Sequence, residues 1–317
     1  MEIEKIAVSN AQQTKLYNIH DIVTLDRNKI NDYQMYILCK NGRLEFIHSS
    51  IENKRIISTR EAIKKYNLIF TPSTNFCVQL CLHDTWNKDG ILTFGKTKDM
   101  KSVCFPDLYQ LENYGDKIDY AKQHEQPFHN KIKKIIFAGG STGSMKLENN
   151  NRVNMCIWSV KDSWAKQHTS IKITNIVQVN KTYFQDYLHN LNLQVNAICS
   201  KNSPISEQLN YKYILSIDGN TFAWDRPIWV MASKSILFKH TKNDNHFGWY
   251  YELLKPMQHY VDISEHSIEN QFNFLENNQN IADNMIQKAN QFVDTYCSKH
   301  AVHTYLHHFF INVAERY

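Results

Sequence analysis

The chain of 317 residues is 42% hydrophobic and carries a formal net charge of +5. This length exceeds what one small core usually holds, so two domains or one large α/β domain are expected. The basic residues are scattered, without the dense patch typical of a dedicated nucleic-acid-binding protein, so no nucleic-acid partner is expected. A single anionic ligand suits this modest positive charge equally well.

The sequence shows no run of about 18 apolar residues, so no transmembrane segment is expected. The first residues, MEIEKIAVSN, lack the basic and apolar regions of a signal peptide. Seven cysteines are irregularly spaced, and we expect free thiols. These features predict a cytoplasmic protein, and peripheral contact with a membrane surface stays open.

The first third of the chain predicts a β-hairpin and a helix. Two apolar segments flank Lys40-Asn41-Gly42, and Asn-Gly is a strong turn signal, so residues 33–48 should form a hairpin. Ser58-Thr59-Arg60-Glu61 has the form of a capping box, which predicts a helix over about 59–67.

Two further strands and a linker are predicted before the middle of the chain. FCVQLCL, residues 76–82, alternates apolar with smaller or polar residues, which predicts a strand that ends in His83-Asp84. GILTFGK, residues 90–96, predicts another strand. The polar stretch 112–131 carries Pro127 and is the best candidate for a linker between domains.

The second half alternates strand-like and helix-like segments. This alternation predicts a parallel, Rossmann-like sheet. Predicted strands are KKIIFAG, IKITNIVQV, KYILSIDG and SILFK, and predicted helices cover 152–160, 226–235 with Pro227 at the first position, 266–276, 280–297 and 299–315.

A glycine-rich loop follows the first of these strands in IIFAGGSTGS, residues 135–144. The spacing matches neither a P-loop, G-x-x-x-x-G-K-[ST], nor a dinucleotide fingerprint, G-x-G-x-x-G, so both motifs are rejected. Two interpretations of the loop have equal support: its backbone N–H groups bind an anion, or it is a tight turn that requires glycine.

A second turn lies in SIDGNTFAWDRP, residues 216–227. Asp218-Gly219-Asn220 forms the turn, and Arg226 begins the next helix. An arginine at a helix N-terminus adds its charge to the helix dipole, a combination that suits a pyrophosphate. The alternative is that Arg226 is a surface residue and Asp218 only forms the turn.

The order of these motifs resembles glycosyltransferase family 90. The pattern is F-x-G-x-x-T-G, an arginine about ten residues later, then K-Y-x-x-x-x-D-G-N-x-x-x-x-x-R and L-K-P-x-x-H-Y-V, the last at Leu254 to Val261. TFGKTKDMKSVCFPDLY, residues 93–109, is also similar to a family segment. The resemblance covers about residue 70 to the C-terminus and is weak over 1–58, where family members differ in their acceptor.

This resemblance implies an α/β fold of GT-B type, with two Rossmann-like domains facing across a cleft and the last helix crossing back. The acceptor-side domain would be 1–130 plus the C-terminal helix, about 299–317, and the donor domain 131–298. The implied reaction transfers a sugar, glucose or xylose, from a UDP-sugar donor to a glycan, glycolipid or protein acceptor, with inversion and no metal cofactor. A non-catalytic sugar-nucleotide or glycan-binding module is the alternative.

The resemblance also assigns the donor-binding residues. Arg152 and Arg226 match two arginines that hold the donor's diphosphate. Without a metal, the charge of the departing UDP must be met by such arginines, backbone donors and a helix N-terminus. The other expected donor contacts are Gly140, Thr142, Gly143, Asp218, Gly219, Thr221, Phe222, Ala223, Trp224 and Asp225.

An inverting transfer needs a general base for the acceptor hydroxyl. The family's aspartate matches Asp84, which follows a predicted strand, where α/β active sites lie. His83 replaces the family's arginine before it, and Thr85-Trp86 replaces an aromatic–proline pair after it. Asp107 is kept as a second candidate.

No metal site is expected elsewhere in the chain. Cys77 and Cys81 lack a second cysteine pair. His303 and His307 have the spacing of a metal pair, but no glutamate follows His303 as H-E-x-x-H requires.

Overall fold

The computed structural model describes residues 2–51, 53–112, 116–124, 126–241 and 246–317. The chain divides into two compact units. Each contains helices and a sheet with parallel strands, so the predicted α/β class is confirmed. The first unit comprises Met1–Gly115, His246–Tyr251 and Thr295–Tyr317, and the second comprises Asp116–Asn245 and Glu252–Asp294.

The strands are short, and most of them are largely buried. Those in the described ranges are β1 (Gln34–Lys40), β2 (Arg43–His48), β3 (Phe76–Cys81), β4 (Leu92–Thr93), β5 (Val103–Cys104), β6 (Ile132–Gly140), β7 (Thr169–Asn175), β8 (Tyr211–Ser216), β9 (Ile236–His240) and β10 (Val261–Ile263).

Helices make up most of the remaining regular structure. Over the described part of the chain, none of them is long and apolar enough to cross a membrane. They are α1 (Glu2–Gln13), α2 (Ile19–Val23), α3 (Lys54–Lys64), α4 (Leu108–Leu111), α5 (Lys117–Gln123), α6 (Asn151–Lys161), α7 (Ser163–His168), α8 (Lys181–Asn190), α9 (Val195–Ile198), α10 (Ile205–Gln208), α11 (Arg226–Met231), α12 (Ile268–Asn277), α13 (Gln279–Phe292) and α14 (Lys299–Glu315).

The first unit is built on a mixed sheet with the order β2-β1-β3-β4-β5. The predicted hairpin forms β1 and β2, and Asn41 and Gly42 turn it with φ angles of 52° and 77°. Strands β3, β4 and β5 run parallel, whereas β1 is antiparallel to β3. The last helix, α14, returns to this unit as predicted and packs against α1 and β3.

The predicted capping box is wrong. Helix α3 begins at Lys54, and its cap is Asn53, whose side-chain oxygen accepts a hydrogen bond from the Ile56 N–H at 3.0 Å. Ser58 to Glu61 therefore lie inside the helix, where Thr59 is fully buried. Asn53 and Ser58 are both good capping residues. Asn53 also donates a hydrogen bond to the Asp32 carbonyl, a tertiary contact that accompanies the start of the helix at Lys54.

One further prediction is wrong, and a second is refined. The strand expected over 90–96 shrinks to Leu92–Thr93, which pairs with the end of β3. The expected linker, 112–131, contains α5, and the two units divide at Gly115 and Asp116 within it. Residues 113–115 and 125 of this stretch lie outside the described residues.

The second unit has a parallel sheet with the order β10-β9-β8-β6-β7. Strand β7, which follows β6 in the chain, lies on one side of β6, and β8, the next strand, lies on the other side. This reversal creates a topological switch point between β6 and β8, beyond whose carboxyl ends doubly wound sheets bind their ligands. The predicted parallel sheet is thus confirmed in this unit.

An aromatic core on one face of this sheet fixes the strands. Tyr213 packs against Phe238, with ring centroids 4.8 Å apart, and against Phe272 of α12 at 5.0 Å. All three rings are essentially excluded from solvent. Such a face keeps β8 and β9 in register, so their carboxyl ends are held at fixed positions.

We expect Asn53→Ala to lower the free energy of unfolding by about 1–2 kcal/mol, because α3 loses its cap. Ser58→Ala is the matched control: it lies inside the helix, where alanine is favourable, and should change stability by less than about 0.5 kcal/mol. Urea unfolding of the full chain checks both. A larger loss in Ser58→Ala than in Asn53→Ala would contradict the observed start of α3.

Candidate functional site

The candidate site begins where β6 and β8 stop pairing. The β6–β8 ladder runs to Ile136 and Ile214, whereas β6 stays paired with β7 through Gly140 and Asn175. Buried carbonyl groups at such a divergence still need hydrogen-bond donors. Two arginine side chains supply them.

Arg226, the first residue of α11, reaches back to β6. Its Nη2 donates to the Ala138 carbonyl at 2.5 Å, and its Nη1 donates to Gln208 Oε1 at 2.8 Å. The guanidinium lies over the ring of Phe137, 4.9 Å from its centroid, and 5.8 Å from that of Trp229. These contacts fix the plane of the cation while leaving the residue partly exposed.

Arg152, the second residue of α6, completes the pair. Its Nη1 donates to the Gly140 carbonyl at 3.0 Å and to Thr142 Oγ1 at 2.5 Å, and its Nε donates to the Ile217 carbonyl at 3.1 Å. Its guanidinium is 5.7 Å from the same Phe137 ring. One side chain thereby joins β6, the glycine loop and the segment after β8.

The two cations are held in a poorly hydrated setting. Burial lowers the pKa of each to about 10, and the charge of Arg152 contributes to the lowering at Arg226. Both therefore remain protonated at neutral pH. Neither forms an ion pair within the described residues, so the pair offers positive charge to an outside anion.

The predicted aspartates next to these arginines each face a lysine. Asp218 Oδ2 lies 3.8 Å from Nζ of the buried Lys239, and its charge raises the pKa of Arg152 against the effect of burial. Asp225 lies at the N-cap of α11 and pairs with Lys117 of α5. Both carboxylates thus already have cationic partners.

The glycine loop is braced by its own hydrogen bonds. Asn150 caps α6 and donates to the Ser141 and Ser144 carbonyls at 3.0 and 2.9 Å. The Ser141 N–H donates to Asn175, and the Gly143 N–H donates to Gln178 Oε1 at 3.1 Å. The N–H groups of Ser141 and Gly143 therefore already have partners within the protein. Gly143 also has a φ angle of 132°, which favours glycine, so the tight-turn interpretation agrees with the structure at these two residues.

Two glycines are required by close packing at the arginines. A Cβ on Gly219 would lie 2.5 Å from Thr142 Oγ1 and 3.2 Å from Arg152 Nη2. A Cβ on Gly139 would lie 2.9 Å from the Phe137 ring on which both guanidiniums rest. At Gly140 a Cβ would meet only ordinary contacts, the nearest at 3.5 Å. Gly140 thus contributes its carbonyl rather than its lack of a side chain.

The segment from Gly219 to α11 contains the residues predicted to line a nucleotide. Thr221 is 2% exposed, and its Oγ1 has no hydrogen-bond partner among the described residues, which is unusual for a buried hydroxyl. Phe222 and Ala223 are buried, and Trp224 is partly exposed with its ring stacked on Phe222 at 6.0 Å. The segment thus borders the arginine pair.

The sequence alone did not identify Phe137 or Gln208 as parts of this site. Phe137 is the first residue of the F-x-G-x-x-T-G pattern, but it stands in an apolar run, where an aromatic residue is expected to be core. Gln208 ends α10, far from Arg226 in sequence, and carries no motif. Only the fold brings its side chain to the guanidinium.

In the first unit, Asp84 follows β3 and is held by an arginine. Arg55 of α3 donates from Nη2 to Asp84 Oδ1 and from Nη1 to the Leu82 carbonyl, both at 2.8 Å. The Asp84 side chain is 21% exposed. The second candidate base, Asp107, is 1% exposed and caps α4 by accepting from the Gln110 N–H at 3.0 Å. The geometry thus favours Asp84 as the carboxylate that a substrate can reach.

Metal ligands do not gather in the described ranges: they hold no group of three or more His, Cys, Asp or Glu side chains arranged to bind an ion.

Comparison with known proteins identifies the family. The model for Glycosyl transferase family 90 matches residues 85–317, which is most of the chain. The chain therefore belongs to glycosyl transferase family 90, as its motifs predicted. Both arginines lie inside the matched region, and Asp84 lies one residue before it.

The chain is similar to uncharacterized protein 179R of Invertebrate iridescent virus 6, with 24% identity over 90% of this chain and 26% of that protein. It spans about a quarter of that relative's length. Among solved structures, TarM matches with 15% identity over 59% of this chain and 37% of its own, at a TM-score of 0.40. WaaG, a glycosyltransferase involved in lipopolysaccharide biosynthesis, matches with 10% identity over 63% of this chain and 53% of its own, at a TM-score of 0.35.

We expect Gly219→Ala to destabilise the chain by about 1–3 kcal/mol, because the added methyl group displaces Thr142 or Arg152. Gly140→Ala is the matched control in the same site and should change the free energy of unfolding by less than about 0.5 kcal/mol. Urea unfolding of both variants measures the difference. Equal losses would show that the close packing at Gly219 is unimportant.

Proposed function

We propose that the chain is an inverting, metal-independent glycosyltransferase that uses a UDP-sugar donor. The observation that carries this proposal is the arginine pair at the switch point. Two charged guanidiniums are hydrogen-bonded to backbone carbonyls, lack ion-pair partners in the described chain and keep part of their surface exposed. A diphosphate is the anion whose charge and length suit two adjacent guanidiniums.

The arginine pair would act on the leaving group. As the bond from the anomeric carbon to the diphosphate oxygen breaks, negative charge builds up on UDP. Arg152 and Arg226 are already held in place by their hydrogen bonds to backbone carbonyls, so they would stabilise that charge without rearrangement. The residues present can therefore supply the role that a metal ion has in other transferases.

Asp84 would be the general base. It accepts the proton of the acceptor hydroxyl while that oxygen forms its bond to the anomeric carbon and UDP departs from the opposite face. The product has the inverted configuration. Arg55 keeps the carboxylate in one orientation, because it also donates to the Leu82 carbonyl at the end of β3.

The resemblance to the family supports glucose or xylose as the transferred sugar. It also supports a hydroxyl group of a glycan, glycolipid or protein as the acceptor. The two sugars differ by one hydroxymethyl group, so a single side chain near the anomeric carbon would be enough to select between them.

We expect UDP to bind in the presence of EDTA, and Arg226→Ala to weaken that binding about 10- to 100-fold, because a charged hydrogen-bond donor is lost. Arg226→Lys should also weaken it, since all donors of an ammonium lie on one nitrogen and cannot span Ala138, Gln208 and a phosphate as the planar guanidinium does. Isothermal titration calorimetry with UDP, GDP, CMP and NAD measures the affinities.

Arg43→Ala, at an exposed arginine of β2, is the control and should leave UDP binding unchanged. Binding that requires added manganese would contradict metal independence. Binding of NAD in preference to UDP would contradict the donor class.

We expect Asp84→Asn to lower kcat by roughly 10²- to 10⁴-fold while UDP affinity stays the same, because only the base is lost. Asp107→Asn is the matched comparison, since asparagine still caps α4 and the rate should change little. Hydrolysis or transfer of the donor sugar provides the rate. The opposite pattern would assign the base to Asp107, and UDP binding without turnover in the wild type would indicate a non-catalytic module.

A further inference from the structure

We propose that Tyr33 and His83 form a stacking platform for a pyranose ring, which makes the acceptor a carbohydrate. The inference rests on the proposed function in one respect: the platform serves the acceptor because Asp84 is the base. The ring pair itself is independent of that assignment.

The platform lies at the end of β3, where the candidate base also follows the strand. Tyr33 is 40% exposed, and its ring centroid is 4.6 Å from that of His83, with 56° between the planes. His83 is itself exposed and immediately precedes Asp84 in the chain. The Leu82 N–H donates to the Tyr33 carbonyl at 2.7 Å, so the tyrosine backbone is fixed to the end of β3.

The turn that presents Tyr33 is anchored on both sides. The Tyr33 N–H donates to Asn31 Oδ1 at 2.9 Å, and Ser49 Oγ donates to Asp32 Oδ1 at 2.8 Å. Asn53, the cap of α3, donates to the Asp32 carbonyl. The platform and the carboxylate therefore belong to one hydrogen-bonded assembly within the first unit, and a ligand would meet both in a fixed relation.

A pyranose ring fits this combination of groups. One face of the ring presents C–H bonds that pack on an aromatic surface, whereas its edge presents hydroxyl groups for hydrogen bonds. With the sugar face on Tyr33, a ring hydroxyl can be directed at the neighbouring carboxylate. A serine or threonine hydroxyl on a protein presents no such face, so a flat, exposed tyrosine at the base favours a glycan.

The test is binding of the full chain to an array of neutral oligosaccharides built from glucose, galactose, mannose and xylose, with UDP titrated in parallel. We expect the wild type to bind a subset, Tyr33→Ala to weaken this binding about tenfold, and Tyr33→Phe to retain it because the ring face persists. Tyr183→Ala, at a tyrosine of the second unit with 43% exposure, is the matched control and should bind like the wild type.

The platform is overturned if the wild type binds no oligosaccharide, or if Tyr33→Ala binds as well as the wild type. It is also overturned if sugar is transferred to a protein with kinetics that Tyr33→Ala leaves unchanged. UDP binding with no glycan binding rejects the platform alone. Glycan binding that depends on Tyr33 without UDP binding rejects the transferase and supports the platform as a glycan-binding site.

Discussion

The separation of β6 from β8 is the constraint on which the candidate donor site depends. Parallel strands that diverge leave backbone carbonyls without their usual partners, and buried carbonyls require donors. The guanidinium group has five N–H donors in one plane, so one arginine can satisfy several carbonyls and keep donors for a ligand. The cations thus lie at the switch point partly because the backbone needs them there.

Holding two like charges close together in a poorly hydrated setting opposes folding. Burial lowers the pKa of both arginines, and the charge of Arg152 adds to the lowering at Arg226, while the carbonyl dipoles, Gln208 and the Phe137 ring stabilise the cations in part. Asp218 and Asp225 offset a further part of this lowering, because each raises the pKa of one of these arginines although its own ion pair is with a lysine. A diphosphate would relieve the repulsion, so ligand binding and the local electrostatics favour the same arrangement.

The sequence predicted what local patterns encode. Asn41-Gly42 defines its hairpin turn without help from the rest of the fold, whereas Arg152 was selected by the resemblance to the family. The sequence did not predict whether Asn53 or Ser58 caps α3, because the contact of Asn53 with residue 32 is tertiary. Nor did it separate Gly140 from Gly219: both stand in glycine-containing turns, and only the packing around an added Cβ distinguishes them.

In both units an arginine is hydrogen-bonded to a backbone carbonyl near the end of a strand, but its charge is used differently. In the first unit an arginine, Arg55, binds a carbonyl after a strand and also a carboxylate of the protein, so its charge is used to orient Asp84. In the second unit Arg152 and Arg226 bind such carbonyls but have no carboxylate partner in the described chain, so their charge remains available to a ligand. On the proposed function, the presence or absence of one internal anion therefore separates the arginine that would position the base from the arginines that would bind the donor.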